Sequence, residues 1–185
     1  MRFTRLLIFF LLATIVTTAI LSFMLPTSQK AERSIVINAP ATIIYNQLIK
    51  LEFFNKFSVW SQQDSSAVYI LTGTDGTIGA TSSWAGHPQI SGKGKIEILA
   101  LVPNSTVFHK IHFINPKKGN AESVFSLVET NKAMTTVTWT FRMATPRPRN
   151  IFNLLYSLDK EKGKDFEEGL KTLKKMIESA VIPVK

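Results

Sequence analysis

The chain of 185 residues contains no cysteine. This absence excludes disulfide bonds, a thiolate metal site and a cysteine nucleophile. It also excludes a lipid anchor attached through cysteine. It does not argue against export, because an exported domain does not need disulfides.

Charge is absent from a run of twenty residues, 6–25, which Arg2 and Arg5 precede and Pro26 follows. A helix of that length spans roughly 30 Å, about the hydrocarbon thickness of a bilayer. The sequence favours an uncleaved membrane anchor. The alternatives are a cleaved signal peptide, whose best small-x-small site is residues 17–19, and a buried core helix. Cleavage at that site would leave an apolar remnant, and the bunched arginines argue against a core helix.

The arginines at the start give a small positive-inside bias. It predicts a single-pass protein of the cytoplasmic (inner) membrane, with the N-terminus inside and the domain on the periplasmic or extracellular side. We expect an anchor at 1–25, a polar linker at 26–32 and one domain at 33–185. The anchor is expected to contribute nothing to the domain core, so that deletion of residues 1–29 should leave a soluble, monomeric, folded domain.

The formal net charge is +9. Basic proteins can bind nucleic acid through phosphates, but no helix-turn-helix, zinc-finger or RNP-like motif is present. The sequence therefore predicts no nucleic-acid partner. Two explanations of the charge remain: attraction to anionic lipid head groups, and an ordinarily basic surface without a specific partner.

Periodicity predicts a strand at 34–38, two short helical segments, six further strands and a long terminal helix. In the last strand, Val137, Trp139, Phe141 and Met143 share one face, which should be buried. Apolar residues then recur at helical spacing from Phe166 onwards. This order is typical of an α+β fold in which the sheet packs against the helix.

Several short motifs in this order resemble the START-like, or polyketide-cyclase-like (SRPBCC), superfamily, in particular its bacterial membrane-anchored branch. They lie at residues 26–40, 59–61, 76–79, 83–86, 92–94, 136–139 and 165–174. The resemblance implies a helix-grip fold, with a curved antiparallel sheet wrapped around a long C-terminal helix and a cavity for apolar ligands. It implies no single activity, since members are carriers, sensors, cyclases and hydrolases. Gln62-Gln63 replaces a Pro-Trp pair found in many relatives, which predicts a more polar cavity mouth.

Large apolar side chains should face the space between sheet and helix. They either line a ligand pocket or fill an ordinary core, and the sequence does not separate the two. The candidate ligand-binding residues are Trp84, Phe113, Trp139, Phe141, Phe166 and Leu170.

Titratable groups give little sign of catalysis. His109 and His112, three apart on one strand, point to opposite faces and cannot bind one metal from it. No catalytic residue, metal site or cofactor is therefore predicted. The leading hypothesis is a membrane-anchored domain that binds a lipid or another apolar small molecule, and its oligomeric state stays open. The alternatives are a cyclase- or hydrolase-type enzyme in the same cavity and a protein-interaction module. An inward-facing histidine or carboxylate with a perturbed pKa would favour the enzyme.

Overall fold

A computed structural model describes residues 2–116 and 118–181, with the side chain of Val181 left out. Residues 182–185 of the predicted domain range lie outside the described residues. The helices are α1 (Arg2–Met24), α2 (Ala41–Leu48), α3 (Leu51–Phe57), α4 (Val59–Gln63), a 3₁₀ helix (Arg149–Leu154) and α5 (Leu158–Val181). The strands are β1 (Ser28–Ile37), β2 (Val68–Thr72), β3 (Thr81–Ala85), β4 (Lys93–Val102), β5 (Thr106–Asn115), β6 (Gly119–Asn131) and β7 (Met134–Ala144).

The seven strands form one antiparallel sheet in the order β1-β7-β6-β5-β4-β3-β2. Successive hairpins build β2 to β7, and β1 then pairs with β7, so that Ser28 lies opposite Ala144 and Ile37 opposite Thr135. The predicted α+β helix-grip fold is confirmed: a curved antiparallel sheet packs against a long C-terminal helix.

Helix α5 lies along β1, and both run in the same direction. Near its start, the backbone N–H of Leu158 donates to the side chain of Gln29, and near its end Lys174 donates to the carbonyl of Val36. Between them, Arg33 bridges to Asp159 and Glu167 of the helix at 2.6 and 2.7 Å. The apolar stripe of α5 faces inward from this position.

The inner face of the sheet and the inner faces of α2, α3 and α5 enclose the core. The alternation predicted for β7 is confirmed, because Val137, Trp139 and Phe141 are buried while Arg142 is exposed; Met143, predicted on the same inner face, is only partly buried. The aromatic residues of α3 contribute much of the remaining core, with Phe54 and Phe57 buried. Burial of this apolar surface is the main source of stability for the fold.

The first strand begins earlier than the sequence predicts. Ser28 to Glu32, expected to belong to a polar linker, form the first half of β1 and pair with β7. The side chain of Gln29 also donates to Asn153 and to the carbonyl of Tyr156. Ser28 and Gln29 therefore belong to the sheet, because backbone pairing compensates for the polar composition, while the apolar core of the described residues begins at Ala31.

The end of α1 also packs against the domain. Ser22 is 3% exposed, and its hydroxyl donates to the side-chain oxygen of Asn150, which is fully buried. The rest of α1 is exposed along its length. By length and composition α1 could cross a membrane, and an N-terminal signal sequence would have the same properties.

Candidate ligand-binding site

Four of the six predicted ligand-binding residues come together between the sheet and α5. Trp139 and Phe141 point inward from β7, and Phe166 and Leu170 point back from α5; each is at most 2% exposed. The ring of Phe166 meets that of Trp139 edge to face, with centroids 4.8 Å apart. The spacing of inward residues on the strand and the helical spacing of Phe166 and Leu170 produce this convergence.

Further aromatic rings surround Trp139. Phe125 stacks on it from β6 with centroids 4.9 Å apart, and Phe57 packs edge to face at 5.9 Å. Its indole N–H donates to the buried hydroxyl of Ser123 at 2.9 Å. The centre of the candidate site is therefore filled by protein side chains, and a ligand there has to displace some of them.

Trp60, on the short helix α4, covers one side of this cluster. Its ring lies 5.2 Å from that of Phe166 and 5.6 Å from that of Phe141, and it remains partly exposed. The indole N–H donates to Asp165 of α5 at 3.3 Å. Trp60 therefore separates the buried rings from solvent, and it does so from a helix of only five residues.

The other two predicted residues, Trp84 and Phe113, form a separate pair. Their ring centroids are 6.0 Å apart, and both side chains are partly buried. Trp84 lies over Gly94, where a Cβ atom would clash with the indole ring, and its N–H donates to the carbonyl of Ser91. The register places the pair at the end of the sheet where β1 begins.

His109 is the most unusual polar group of the interior. It points inward from β5 and is fully buried, with ring centroids 5.7 Å from Phe54 and 6.1 Å from Phe125. Neither ring nitrogen has a hydrogen-bond partner among the residues that the structure describes. Burial lowers the pKa of His109 to about 4. The imidazole is therefore neutral near pH 7 and offers one donor and one acceptor.

The sequence places His109 and His112 on opposite faces, and this is confirmed, because His112 is partly exposed and hydrogen-bonds to Asn120. The sequence analysis did not assign His109 to the site. The sequence does contain a signal that His109 points inward, since it alternates with the apolar Val107 and Ile111 on the same strand. The alternation cannot show, however, that the ring nitrogens of His109 lack a hydrogen-bond partner.

The buried carboxylate of Asp64 lies in a different environment. It accepts hydrogen bonds from the hydroxyls of Ser66 and Ser91 and from the backbone N–H groups of Ser66 and His87. These bonds, led by those from the two hydroxyls, hold the pKa of Asp64 well below its usual range. Through these hydrogen bonds Asp64 joins the segment after α4 to the loop after β3, which is a structural role.

Surface recesses occur on the outer face of the sheet. One of about 210 Å³ is lined by charged and apolar side chains that include Lys30, Phe108 and Arg142. A second, of about 180 Å³, lies beside it towards Ser28 and Ala144. Neither touches the six predicted residues. Among the described residues, no group of three or more His, Asp or Glu side chains could hold a metal ion.

No protein-family model matches the chain, and no curated protein matches it. Solved structures do match. The chain is similar to norcoclaurine synthase from Thalictrum flavum, solved with dopamine and hydroxybenzaldehyde, at 11% identity and a TM-score of 0.58 over 81% of this chain and 86% of that one. It is similar to the Zhui aromatase/cyclase of a Streptomyces species at 11% identity and a TM-score of 0.59, over 84% and 97% of the two chains.

A Chromobacterium violaceum protein solved by structural genomics matches at 14% identity, with a TM-score of 0.56 over 83% of this chain and 98% of that one. At such identities the likeness shows the fold alone. These matches and the topology show that the chain has the helix-grip fold that the sequence motifs predict.

Proposed function

We propose that this protein is a membrane-anchored domain that binds a lipid or another apolar small molecule between its sheet and α5. Residues 6–25 anchor it in the cytoplasmic membrane, with the N-terminus inside and the domain on the periplasmic or extracellular side. The observation that carries the proposal is the unpartnered imidazole of His109 among the aromatic rings of the interior.

A buried polar group without a partner costs about 1–3 kcal/mol. The aromatic surroundings of His109 offer it no hydrogen bond, so its donor and acceptor are left for a molecule that enters the core. A ligand with an apolar body and a neutral polar group would pair with one of the two ring nitrogens. Apolar pockets with a few placed polar groups are the usual form of small-molecule sites.

The structural neighbours support a small, largely apolar ligand. Norcoclaurine synthase was solved with dopamine and hydroxybenzaldehyde, two aromatic molecules, on the same fold. In this chain the corresponding space is filled by rings, so binding has to move some of them. Trp60 is the side chain we expect to move, because it is partly exposed and its helix is short.

Native mass spectrometry of the full-length protein, extracted in mild detergent, tests the proposal. We expect an adduct of small-molecule mass. His109→Phe should lose the adduct, because it removes the polar contact and fills the space, whereas His112→Gln on the outer face should keep it. If no adduct appears and an apolar dye such as N-phenylnaphthylamine shows no saturable binding, the interior is a solid core and the protein is an interaction module.

Fusions after Lys185 test the orientation. Alkaline phosphatase should be active there and green fluorescent protein dark, since phosphatase folds only after export. The opposite pattern would place the domain in the cytoplasm.

A second candidate function is a cyclase- or hydrolase-type enzyme in the same space, and His109 is also the observation that favours it. A neutral buried imidazole can accept a proton from a bound substrate. Among the described residues, however, Asp64 is the buried carboxylate, and its hydrogen bonds are committed elsewhere. Catalysis would be recognised by turnover of the extracted ligand that His109→Phe abolishes; binding without turnover favours the carrier.

A further inference from the structure

The end of α1 is held by one face of the 3₁₀ helix. The side-chain amide of Asn150 donates to the carbonyls of Ser22 and Leu25 at 2.7 and 3.0 Å and accepts from the Ser22 hydroxyl. Asn153, one 3₁₀ turn later, donates to the carbonyl of Pro26 at 3.1 Å. These bonds satisfy carbonyls at the end of α1 that have no partner within the helix.

Arg147 adds a further connection. Its guanidinium donates to the carbonyls of Ser22 and Phe23 and lies over the ring of Phe23, 4.9 Å from the centroid. The 3₁₀ helix is therefore fixed at the level of the last turn of α1, which is also the last turn of the uncharged run.

The other face of the same segment is apolar and uncovered. Phe152, Leu154 and Leu155 are 60%, 62% and 89% exposed, and Tyr156 is 42% exposed. Large apolar side chains that are exposed next to one another mark an interaction surface. The segment also carries charge, since Arg147 and Arg149 are exposed at its start.

We propose that this surface, formed by Phe152, Leu154, Leu155 and Tyr156, lies in the interfacial layer of the bilayer that α1 crosses. The inference rests on the proposed anchoring by α1. If residues 6–25 span the hydrocarbon, then Ser22 to Leu25 lie at its boundary, and the helix bonded to them lies at the same depth. Apolar side chains at that depth are removed from water, which is favourable. Tyrosine and arginine side chains are favourable in the head-group layer.

The charges favour a lipid surface over a second copy of the chain or another protein. Exposed arginines beside the apolar side chains attract anionic head groups, each contributing about 1 kcal/mol near such a surface. If two copies of the chain associated through this surface, the arginines of one copy would face those of the other.

The contact has a consequence for the candidate site, because Trp84 and Phe113 lie at this same end of the sheet. The end of the sheet that carries this pair is therefore turned towards the membrane.

Depth-dependent fluorescence quenching tests the inference, and the absence of cysteine makes single-site labelling clean. The full-length chain carries Leu155→Cys, labelled with the dye NBD, in vesicles of phosphatidylcholine and phosphatidylglycerol. Val128→Cys is the matched control, because Val128 is 65% exposed at the opposite end of the sheet. Phe10→Cys, within α1, reports on the anchor.

We expect the label at Leu155 to shift to the blue and to be quenched by lipids that carry a doxyl group near the head-group end of the chain. The label at Val128 should show neither effect. If Leu155 behaves like Val128 while Phe10 is quenched, the anchor stands and the inference falls. If Phe10 is not quenched either, the anchoring itself is wrong and the inference falls with it. A blue shift without quenching by doxyl lipids would mean that protein covers the surface, and would also overturn the inference.

Discussion

Gly169 of α5 lies against the indole ring of Trp139, so close that a Cβ atom at position 169 would be 2.9 Å from Cζ3. A glycine inside a helix costs about 1 kcal/mol relative to alanine, so its presence here has a packing reason. The sequence predicts that Gly169 lies close to the sheet, and the contact with Trp139 confirms it.

Enlarging this residue should therefore destabilise the fold. Trp139 cannot move away easily, because Phe125, Phe57 and Phe166 surround it. We expect Gly169→Leu to lower the free energy of unfolding by about 1–3 kcal/mol, the usual cost of overpacking. Thermal unfolding followed by near-ultraviolet circular dichroism measures the change. Lys171→Leu, on the exposed face of α5, is the control; a gain in stability for Gly169→Leu would contradict the packing described here.

Truncation of Trp139 should be costly. Trp139 is 1% exposed and packed by rings, so we expect Trp139→Ala to lower the free energy of unfolding by about 3–5 kcal/mol. Trp139→Phe keeps a ring but leaves the buried Ser123 hydroxyl without its donor, and should cost less, about 1–3 kcal/mol. Chemical denaturation in one mild detergent compares the variants. A small loss for Trp139→Ala would mean that one side of the ring already faces open space.

Acid should destabilise the protein through His109. Its pKa is about 4 in the folded state, below the ordinary value of 6.5, so the unfolded chain takes up the proton first as the pH falls. The free energy of unfolding should therefore decrease between these two pH values and show no further contribution from His109 below them. The total effect is at most about 3 kcal/mol.

His109→Phe should remove this dependence and raise stability at neutral pH, because it replaces an unpartnered polar ring with an apolar one. Unfolding curves at several pH values between 4 and 7 measure the slope. His112→Gln, on the outer face, should leave the slope unchanged. A slope that persists in His109→Phe would assign the acid sensitivity to other groups.

Two deletions test whether the end of α1 belongs to the domain. Deletion of residues 1–19 keeps Ser22 to Leu25, whereas deletion of 1–27 removes them and leaves β1 intact. We expect the longer deletion to be less stable by about 1–3 kcal/mol, because the buried amide of Asn150 loses its acceptors. Asn150→Ala should then destabilise the shorter deletion and have little effect on the longer one. Equal costs in both would show that the contact contributes nothing.

The parts of the fold that depend on local periodicity could be predicted from the sequence. Alternation placed Val137, Trp139 and Phe141 on the buried face of β7, and helical spacing placed Phe166 and Leu170 opposite them. Both follow from the side-chain directions of regular elements. The predicted order, with one strand before the short helices, six strands after them and a long terminal helix, is also observed.

Other parts depend on contacts between distant residues and could not be predicted. Gln29 lies in a polar stretch typical of a linker, and only its pairing with Met143 makes it part of a strand. Trp84 and Phe113 have the right alternation but lie near the end of the sheet where β1 begins, whereas Trp139 lies midway along β7, because the register separates them. Whether His109 has a hydrogen-bond partner likewise depends on all the segments that pack around it, so no single segment of the sequence reveals it.

The pairing of β1 with β7 also determines when the domain can form. Synthesis produces β1 first among the strands, yet its hydrogen-bonding partner is the last strand, so nearly the whole domain must follow before Ser28 meets Ala144. Contacts between such distant segments form slowly, because the intervening loop has to close first. Until then the edge of β1 is free to pair with other chains.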